Sequence, residues 1–400
     1  MNDESNVVTF ERSRRRPDPA RVREFAVTAR RLQAERQSSS ELVERLLRTT
    51  PRNEWPRLAE EPSMRNSGAL EKLAKEISSR LEKNPQEALA LSNLATAIAE
   101  TLAFDAYPAI VLAQIRAQAW KDRGQALRYL ARYREALEAL DRAEALLVNF
   151  GSLMHDLAVV MYVRAITLQE SGEFDESRSL LNESGLIFKE HGDVRRFMYC
   201  AVAEGMLEFR LGKLLAARQA FTELLGTARS IQDRETEARL HNNIGQCASR
   251  LGELENATIH LTHAMTLFDS LGLETDVLRA EQAAALVTLR KGDIRRGLAE
   301  LREARSGFLS HGMIEEAGLC GLDIVGALVE EDKAAEAVEL AASIVEEFSD
   351  AGLNRRAVTA VEYLREAIRA RRATRATVTS IADYLGALQR NPNLEFVATA

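Results

Sequence analysis

The sequence predicts an all-α chain built as an α-solenoid, a stack of antiparallel helix hairpins. Three observations predict it. The composition favours helices: 28% of residues are charged and 46% apolar, with only 8 prolines in 400 residues, a mixture that forms amphipathic helices readily. A small residue recurs at 136, 177, 217, 257, 297 and 337, a period of about forty residues held six times. Turn residues, mostly glycine, recur in phase with it, and a fixed period of this length marks a repeat architecture.

The elements follow in chain order. Residues 1–18, which include "RSRRRPDP", are expected to be a disordered basic tail. Residues 19–66 read as an N-terminal helical cap: a helix from Pro19 to Gln37, another from Ser40 to Arg48, then a turn-rich stretch anchored by Trp55. Residues 67–107 read as a degenerate first helix pair, Ala69 to Arg80 and Pro85 to Leu102. Pro85 suits the first turn of a helix, and Ala88, Ser92 and Ala95 imitate the small-residue pattern.

Residues 108–352 carry six repeats. Each places a turn residue, an apolar residue, a small residue and a second apolar residue in order. The copies are Ala131/Tyr133/Ala136/Leu140, Gly172/Phe174/Ser177/Leu181, Gly212/Leu214/Ala217/Phe221, Gly252/Leu254/Ala257/Leu261, Gly292/Ile294/Gly297/Leu301 and Asp332/Ala334/Ala337/Ala341. Twelve positions before each small residue lies another: Gly124, Ala165, Gly205, Gly245, Ala285, and in the last copy the larger Val325. Phe188, Phe268, Phe308 and Phe348 each stand four residues before Gly192, Gly272, Gly312 and Gly352. That spacing describes a helix closed by a left-handed glycine, with a large apolar residue in its last turn.

Packing explains why these letters persist. Two antiparallel helices approach closely only where side chains are small, so Gly245 and Ala257 are expected to face each other while Leu261 and Phe268 fill the space between hairpins. No hairpin buries its apolar stripe alone, so successive pairs stack. Residues 353–390 read as a closing helix pair without the small-residue signature, and 391–400 as a tail. A stack needs such a polar terminal pair to end solubly.

The segment "NNIGQCASRLGELENATIHLTHAM" resembles the tetratricopeptide repeat (TPR). A small residue sits midway along the first helix, a glycine at the turn and a small residue early in the second. Trp120, four residues before Gly124, stands where that family often has a large aromatic. The forty-residue spacing is similar to the long variant found in bacterial peptide-sensing regulators and some eukaryotic adaptors. The resemblance covers residues 108–352 and implies a right-handed, TPR-like superhelix. Arg123 and Arg164 depart from it, standing where Leu is usual, and the last copy lacks its turn glycine.

Several function classes are excluded or disfavoured. A net charge of −7 argues against a chain that coats nucleic acid over its whole surface. No apolar run approaches the roughly 18 residues that span a bilayer, and the acidic "MNDESNVVTF" lacks a signal-peptide pattern. Neither nucleic acid nor membrane is an expected partner. Cys200, Cys247 and Cys320 lack CxxC spacing and an even count, so three buried thiols in a reducing cytoplasm are the expectation.

No nucleophile elbow, phosphate loop or dinucleotide fingerprint occurs. Carboxylates are scattered on helix surfaces rather than paired. No catalytic residue and no cofactor are expected, and the chain reads as a non-enzyme. His260 and His263 share a helix face, and His241 can lie on the paired helix, but exposed or packed histidines remain the expectation rather than a metal site. His155, His191 and His311 fall near helix ends, where histidine often caps carbonyls.

In such solenoids the first helix of each pair lines the concave face. Projecting the helical period from Gly205, Gly245 and Ala285 turns Tyr199, Val202, Phe209, Arg239, Asn242, Gln246, Arg279, Gln282 and Leu286 inward, and unit two adds Tyr162 and Ile166. The resemblance implies that Asn242 and its neighbours contact a peptide backbone, a role suited to an amide that both donates and accepts. Arg239 and Arg279, forty apart, favour an acidic segment. Arg210, Arg250 and Arg290 each end a first helix, where the macrodipole favours cations without any ligand. The cluster "LREAIRARRATR", Arg365 to Arg375, has the same explanation.

These readings converge on a regulatory adaptor that binds a peptide or helix of a partner protein. Two alternatives stay open: a peptide-sensing transcriptional regulator whose N-terminal segment touches DNA, and a regulatory subunit of a separately encoded enzyme.

Overall fold

The computed structural model describes residues 19–81, 84–103, 106–390 and 394–396, and every regular element among them is helical. The basic stretch "RSRRRP" and most of the tail after residue 390 lie outside the described residues. By internal contacts the chain divides into two units, residues 1–130 with 141–149 and residues 131–140 with 150–400.

The first unit holds α1 (Pro19–Thr49), two short 3-10 helices (Arg52–Glu60 and Pro62–Met64), α2 (Ser67–Arg80), α3 (Pro85–Thr101) and α4 (Ala109–Tyr129). The sequence reading breaks α1 after Gln37; the helix instead runs unbroken for 31 residues. The serines at the expected break are satisfied in place: Ser38 Oγ donates to the Glu35 carbonyl (3.2 Å), and buried Ser39 reaches Asn66 Oδ1 (2.8 Å). Such side chains break a helix only when they compete with its backbone. Asn66 in turn caps α2 by accepting from the Ala69 N–H at 2.9 Å. Trp55 anchors its loop as expected, buried, with Nε1 donating to the Thr50 carbonyl at 3.1 Å.

At Gly68 the backbones of α1 and α2 touch. A Cβ there would lie 2.2 Å from the Glu35 oxygen and 2.6 Å from the Arg36 nitrogen, so only glycine fits. Beside it the Glu35 carboxylate accepts from the Ser67 N–H (3.1 Å), Ser67 Oγ (2.5 Å), Tyr107 OH (2.7 Å) and Arg31 Nε (2.8 Å). Burial pushes this carboxyl up, but the donors outweigh it and hold its pKa below the ordinary value.

Between the units α5 (Tyr133–Leu147) divides by residue. The second unit continues with α6 (Met154–Ser171), α7 (Phe174–Glu190), α8 (Val194–Arg210), α9 (Leu214–Ser230), α10 (Arg234–Arg250) and α11 (Leu254–Ser270). Then come α12 (Glu274–Arg290), α13 (Ile294–Ser310), α14 (Ile314–Glu330), α15 (Ala334–Asp350), α16 (Arg355–Arg369) and α17 (Arg375–Arg390). Consecutive helices pack in pairs from α6 to α16.

Helices α7 to α15 are each 17 residues long. From α7 to α15 the residue after the C-cap adopts left-handed backbone, as does the C-cap Gly172 of α6, which sets such a residue at every twentieth position from Gly172 to Gly352. Gln232 (φ 56°) and Asp332 (φ 54°) are the exceptions to glycine in that series. The hydrogen bonds are those of the Schellman closure: the Asp193 N–H reaches back to the Phe188 carbonyl (2.9 Å) and the Gly192 N–H to Lys189 (3.1 Å). Asp193 then caps the next helix, its Oδ1 accepting from the Arg196 N–H at 3.0 Å. Asp233 and Asp293 repeat the device with Thr236 (3.1 Å) and Arg296 (3.3 Å). Phe188, Phe268, Phe308 and Phe348 are buried in the last turns, as the glycine spacing predicts.

The small residues pack differently from the expectation. A Cβ on Gly245 would meet Leu261 Cγ at 2.7 Å rather than Ala257, and one on Gly205 would meet Phe221 Cε1 at 2.5 Å. On the second helix, Gly297 receives Leu289 Cγ at 2.7 Å. Each of these three glycines is thus a socket for a large residue of the paired helix, the interdigitation that close packing requires. The two small positions do meet in unit two, where Ser177 Oγ donates to the Ala165 carbonyl at 2.8 Å.

The C-terminal pair also departs from the expectation of a plain closing hairpin. Helix α17 lies against α14, where a Cβ on Gly326 would have Val378 Cγ1 and Arg375 Nε as its nearest neighbours (3.7 and 3.8 Å). Part of the expected tail is docked as well. Phe396 sets its ring edge-on to Tyr363 and Tyr384 (centroids 5.4 and 5.0 Å), and the Tyr384 hydroxyl donates to the Leu394 carbonyl (2.9 Å). Cys200, Cys247 and Cys320 are free and buried. Burial pushes their thiols up to about 11, 11 and 12. Among the described residues no helix is long and apolar enough to cross a membrane.

Candidate partner-binding face

Helices α6, α8, α10, α12 and α14 are the first members of the hairpins and carry every residue singled out for the inner face. None of those residues is buried: Tyr162, Ile166, Tyr199, Val202, Phe209, Asn242, Gln246, Gln282 and Leu286 are half-buried, and Arg239 and Arg279 exposed. Helical periodicity alone therefore selects positions that reach solvent while resting on the core.

Several of them are already engaged. Tyr199 OH donates to Asp233 Oδ2 at 3.0 Å, joining α8 to the carboxylate that caps α10. Burial first, then this carboxylate, raises the phenol's pKa. Tyr199, Val202 and Phe209 lean on the buried cluster around Phe221. Gln282 Nε2 donates to Asp323 Oδ2 at 2.8 Å, spanning α12 and α14. Arg239 pairs with Glu235 (2.8 Å), and Arg279 with Asp276 (3.4 Å) and Glu316 (3.3 Å). Exposed pairs of this kind contribute little to stability and exchange easily. Asn242 differs: its Oδ1 is shielded from solvent and makes no hydrogen bond, an arrangement that costs free energy until a donor is found.

Gln246 and Leu286 come together with residues the sequence reading set aside. They line a cavity of about 520 Å³ with Gly326, the equivalent position one repeat further on, and with Arg250, Arg290, Asp323, Arg375 and Asp383. The arginine ladder does more than complement its own helix dipoles. Arg290 Nη1 donates to the Ser249 carbonyl and hydroxyl (2.8 Å each), and Arg210 Nη1 to the Gln169 carbonyl (3.3 Å). Each such guanidinium thus satisfies the carbonyl end of the preceding first helix, where unpaired acceptors gather. Arg250 instead lies over the Phe209 ring, 4.3 Å from its centroid. Burial, then Arg250 and Arg375, hold the Arg290 guanidinium below its ordinary pKa. Burial raises Asp323.

The periodic recurrence of 210, 250 and 290 was a visible signal for this wall, but one that the macrodipole explained equally well. Arg375 showed only as the last member of a basic cluster set aside on the same ground; its place here depends on the fold-back of α17 onto α14.

The histidines sort by place. His191 Nδ1 and His311 Nδ1 contact the Ile187 and Gly307 carbonyls (2.8 and 2.9 Å), the expected end-capping. His155 instead sets Nε2 against Asp193 Oδ2 at 2.9 Å. His241 and His260 meet Nδ1 to Nδ1 at 3.0 Å, and the His263 ring lies 5.2 Å from that of His241. Among the described residues no group of three such side chains is arranged to hold a metal ion.

No protein-family model matches the sequence, and no curated protein matches it. Solved structures match its fold. A Rap protein complexed with competence and sporulation factor aligns at a TM-score of 0.55 and 14% identity, over 92% of this chain and 98% of the other. Aspartyl phosphate phosphatase F from Bacillus subtilis aligns at 0.53 and 13%, over 95% and 97%. NprR in complex with its cognate peptide NprX aligns at 0.52 and 12%, over 76% and 83%. At these identities the likeness is one of fold, and the fold is that of a TPR-type helical-repeat protein.

Proposed function

We propose that the chain is a regulatory adaptor whose first-helix face receives an extended peptide segment of a partner protein. The observation that carries this reading is the cavity on that face, lined by Gln246, Leu286 and Gly326 at one position of three successive repeats. A register chosen from sequence periodicity alone coincides with an open, mixed polar and apolar surface, the kind that stacked hairpins offer to ligands. The unsatisfied Asn242 acceptor supports it, since a backbone amide that drew this side chain outward relieves its desolvation. The likeness to NprR, solved with its cognate peptide, points the same way by analogy of fold.

The reading is non-catalytic. The likeness to a phosphatase is to its fold. A DNA-contacting N-terminus draws less support than peptide binding. Residues 19–66 form one long helix followed by 3-10 turns, which leaves no second helix within that span to enter a groove. Capture from lysate of the source cells tests the proposal, using the full chain beside an Arg239→Ala, Asn242→Ala, Arg279→Ala triple variant of unchanged circular dichroism. A partner lost only with the variant is the expected outcome. Equal capture by both removes this face from consideration.

A further inference from the structure

Three imidazoles crowd one spot of the α10–α11 hairpin, and their hydrogen bonds fix which nitrogen holds each proton. A guanidinium only donates, so Arg229 Nη2 of α9, 3.3 Å from His241 Nε2, makes that nitrogen an acceptor. Neutral His241 therefore carries its proton on Nδ1 and donates it to His260 Nδ1, 3.0 Å away on α11. His241 is buried and His260 half-buried. His263, one turn after His260 and exposed, sets its ring 5.2 Å from that of His241. Glu237, one turn before His241 on α10, accepts from Arg229 Nε at 2.7 Å.

We infer that this cluster binds a zinc ion, which takes the place of the proton shared by His241 and His260. Zinc held by imidazoles at about 2.0–2.1 Å in tetrahedral geometry sets two ligand nitrogens roughly 3.3–3.4 Å apart. The two Nδ1 atoms already stand close to that spacing. As the rings lie, only these two nitrogens converge. His263 shares the face of His260 at i, i+3, and a turn of its exposed side chain brings the third ligand, leaving water to complete four. An all-imidazole donor set selects zinc and its late first-row neighbours over magnesium or calcium, which prefer oxygen.

The surroundings suit an ion better than protons. Burial, then His260, His263 and Arg229, hold His241 down to about 4, so no proton competes for it at neutral pH. Three protons on three neighbouring rings repel one another, whereas one ion serves all three. Metal on Nδ1 moves the His241 proton to Nε2, where Arg229 can no longer donate. Arg229 is exposed and swings to solvent, and the Glu237 carboxylate it releases is the nearby acceptor for that proton. Such a carboxylate partner is what orients metal-bound histidines. The site is independent of the peptide-binding reading.

Cobalt(II) tests it, because its tetrahedral complexes absorb far more strongly in the visible than its octahedral ones. The full chain, stripped with a chelator, is titrated with cobalt at neutral pH and then with zinc. One cobalt per chain with a strong visible band, bleached by zinc, is the expected result. His260→Gln and the exposed His263→Gln, each checked by circular dichroism, lose the band. Arg229→Ala, which leaves every histidine in place, binds zinc more tightly than the parent because the competing cation is gone. No saturable band in the parent overturns the site, as does a strong band that survives in either folded histidine variant. Weaker binding by Arg229→Ala overturns it too, since the guanidinium would then support the ion rather than compete with it.

Discussion

The two units reach stability by different means. In the first, contacts are made once: Gly68 against the Glu35 backbone, Glu35 among Ser67, Tyr107 and Arg31, Asn66 shared between Ser39 and the start of α2. In the second, a few contacts recur, a glycine accepting a large side chain across the hairpin at Gly205, Gly245 and Gly297 and a left-handed residue at every twentieth position from Gly172 to Gly352. Repetition spreads the demand, so any single copy may depart from the rule, as Gln232 and Asp332 do. A contact made once admits no such substitute.

The sharpest test of that difference compares one added methyl group in each unit. Gly68→Ala drives Cβ into backbone, which cannot give way. It is expected to cost about 3 kcal/mol or more, read as loss of the first unit's protection in hydrogen exchange. Gly245→Ala meets the movable Leu261 side chain and gains helix propensity, so a net cost of about 1 kcal/mol is expected. Equal losses at the two sites break the comparison.

Acid acts next, on the second unit. Burial, then His260, His263 and Arg229, hold His241 down to about 4 against an opposing Glu237. The unfolded chain takes that proton near pH 6.5 and the folded one resists until about 4. Stability is therefore complete above pH 6.5 and falls progressively between 6.5 and 4, by up to about 3 kcal/mol. Thermal melts across this window should show the decline, and His241→Gln should flatten it. An unchanged slope assigns the acid sensitivity elsewhere.

The smallest effect has the opposite sign. Gln232 occupies a backbone conformation that costs a side-chain-bearing residue roughly 1 kcal/mol, so Gln232→Gly is expected to stabilise by somewhat less than that. A fall in the melting temperature would show that the side chain compensates for its own strain.

What the sequence disclosed divides along the same line. The repeats were legible because a period multiplies weak signals: the turn glycines and the closing phenylalanines both emerged from spacing. The partner of each small residue was not legible, since spacing says that Gly245 must be small without saying that Leu261 fills it. Unit one hid its continuous α1, because the run of serines at 38–40 looks like a break until Asn66, far along the chain, is brought to it. At the candidate site, Gln246 and Leu286 were found from the period and Arg375 was not. Its place depends on α17 turning back onto α14, a choice that no local residue records.

The strict twenty-residue beat of left-handed positions in the second unit has a consequence for how such a chain can change. An α-helix advances 100° per residue, so gaining or losing a single residue inside any helix swings every later side chain of that helix off its partner before the next turn can reset it. Gain or loss of a whole hairpin leaves the phase untouched. The chain is thus written in a reading frame of its own, one that tolerates almost any spelling and forbids a slipped letter. Its length can evolve in steps of two helices while each surviving word keeps its meaning.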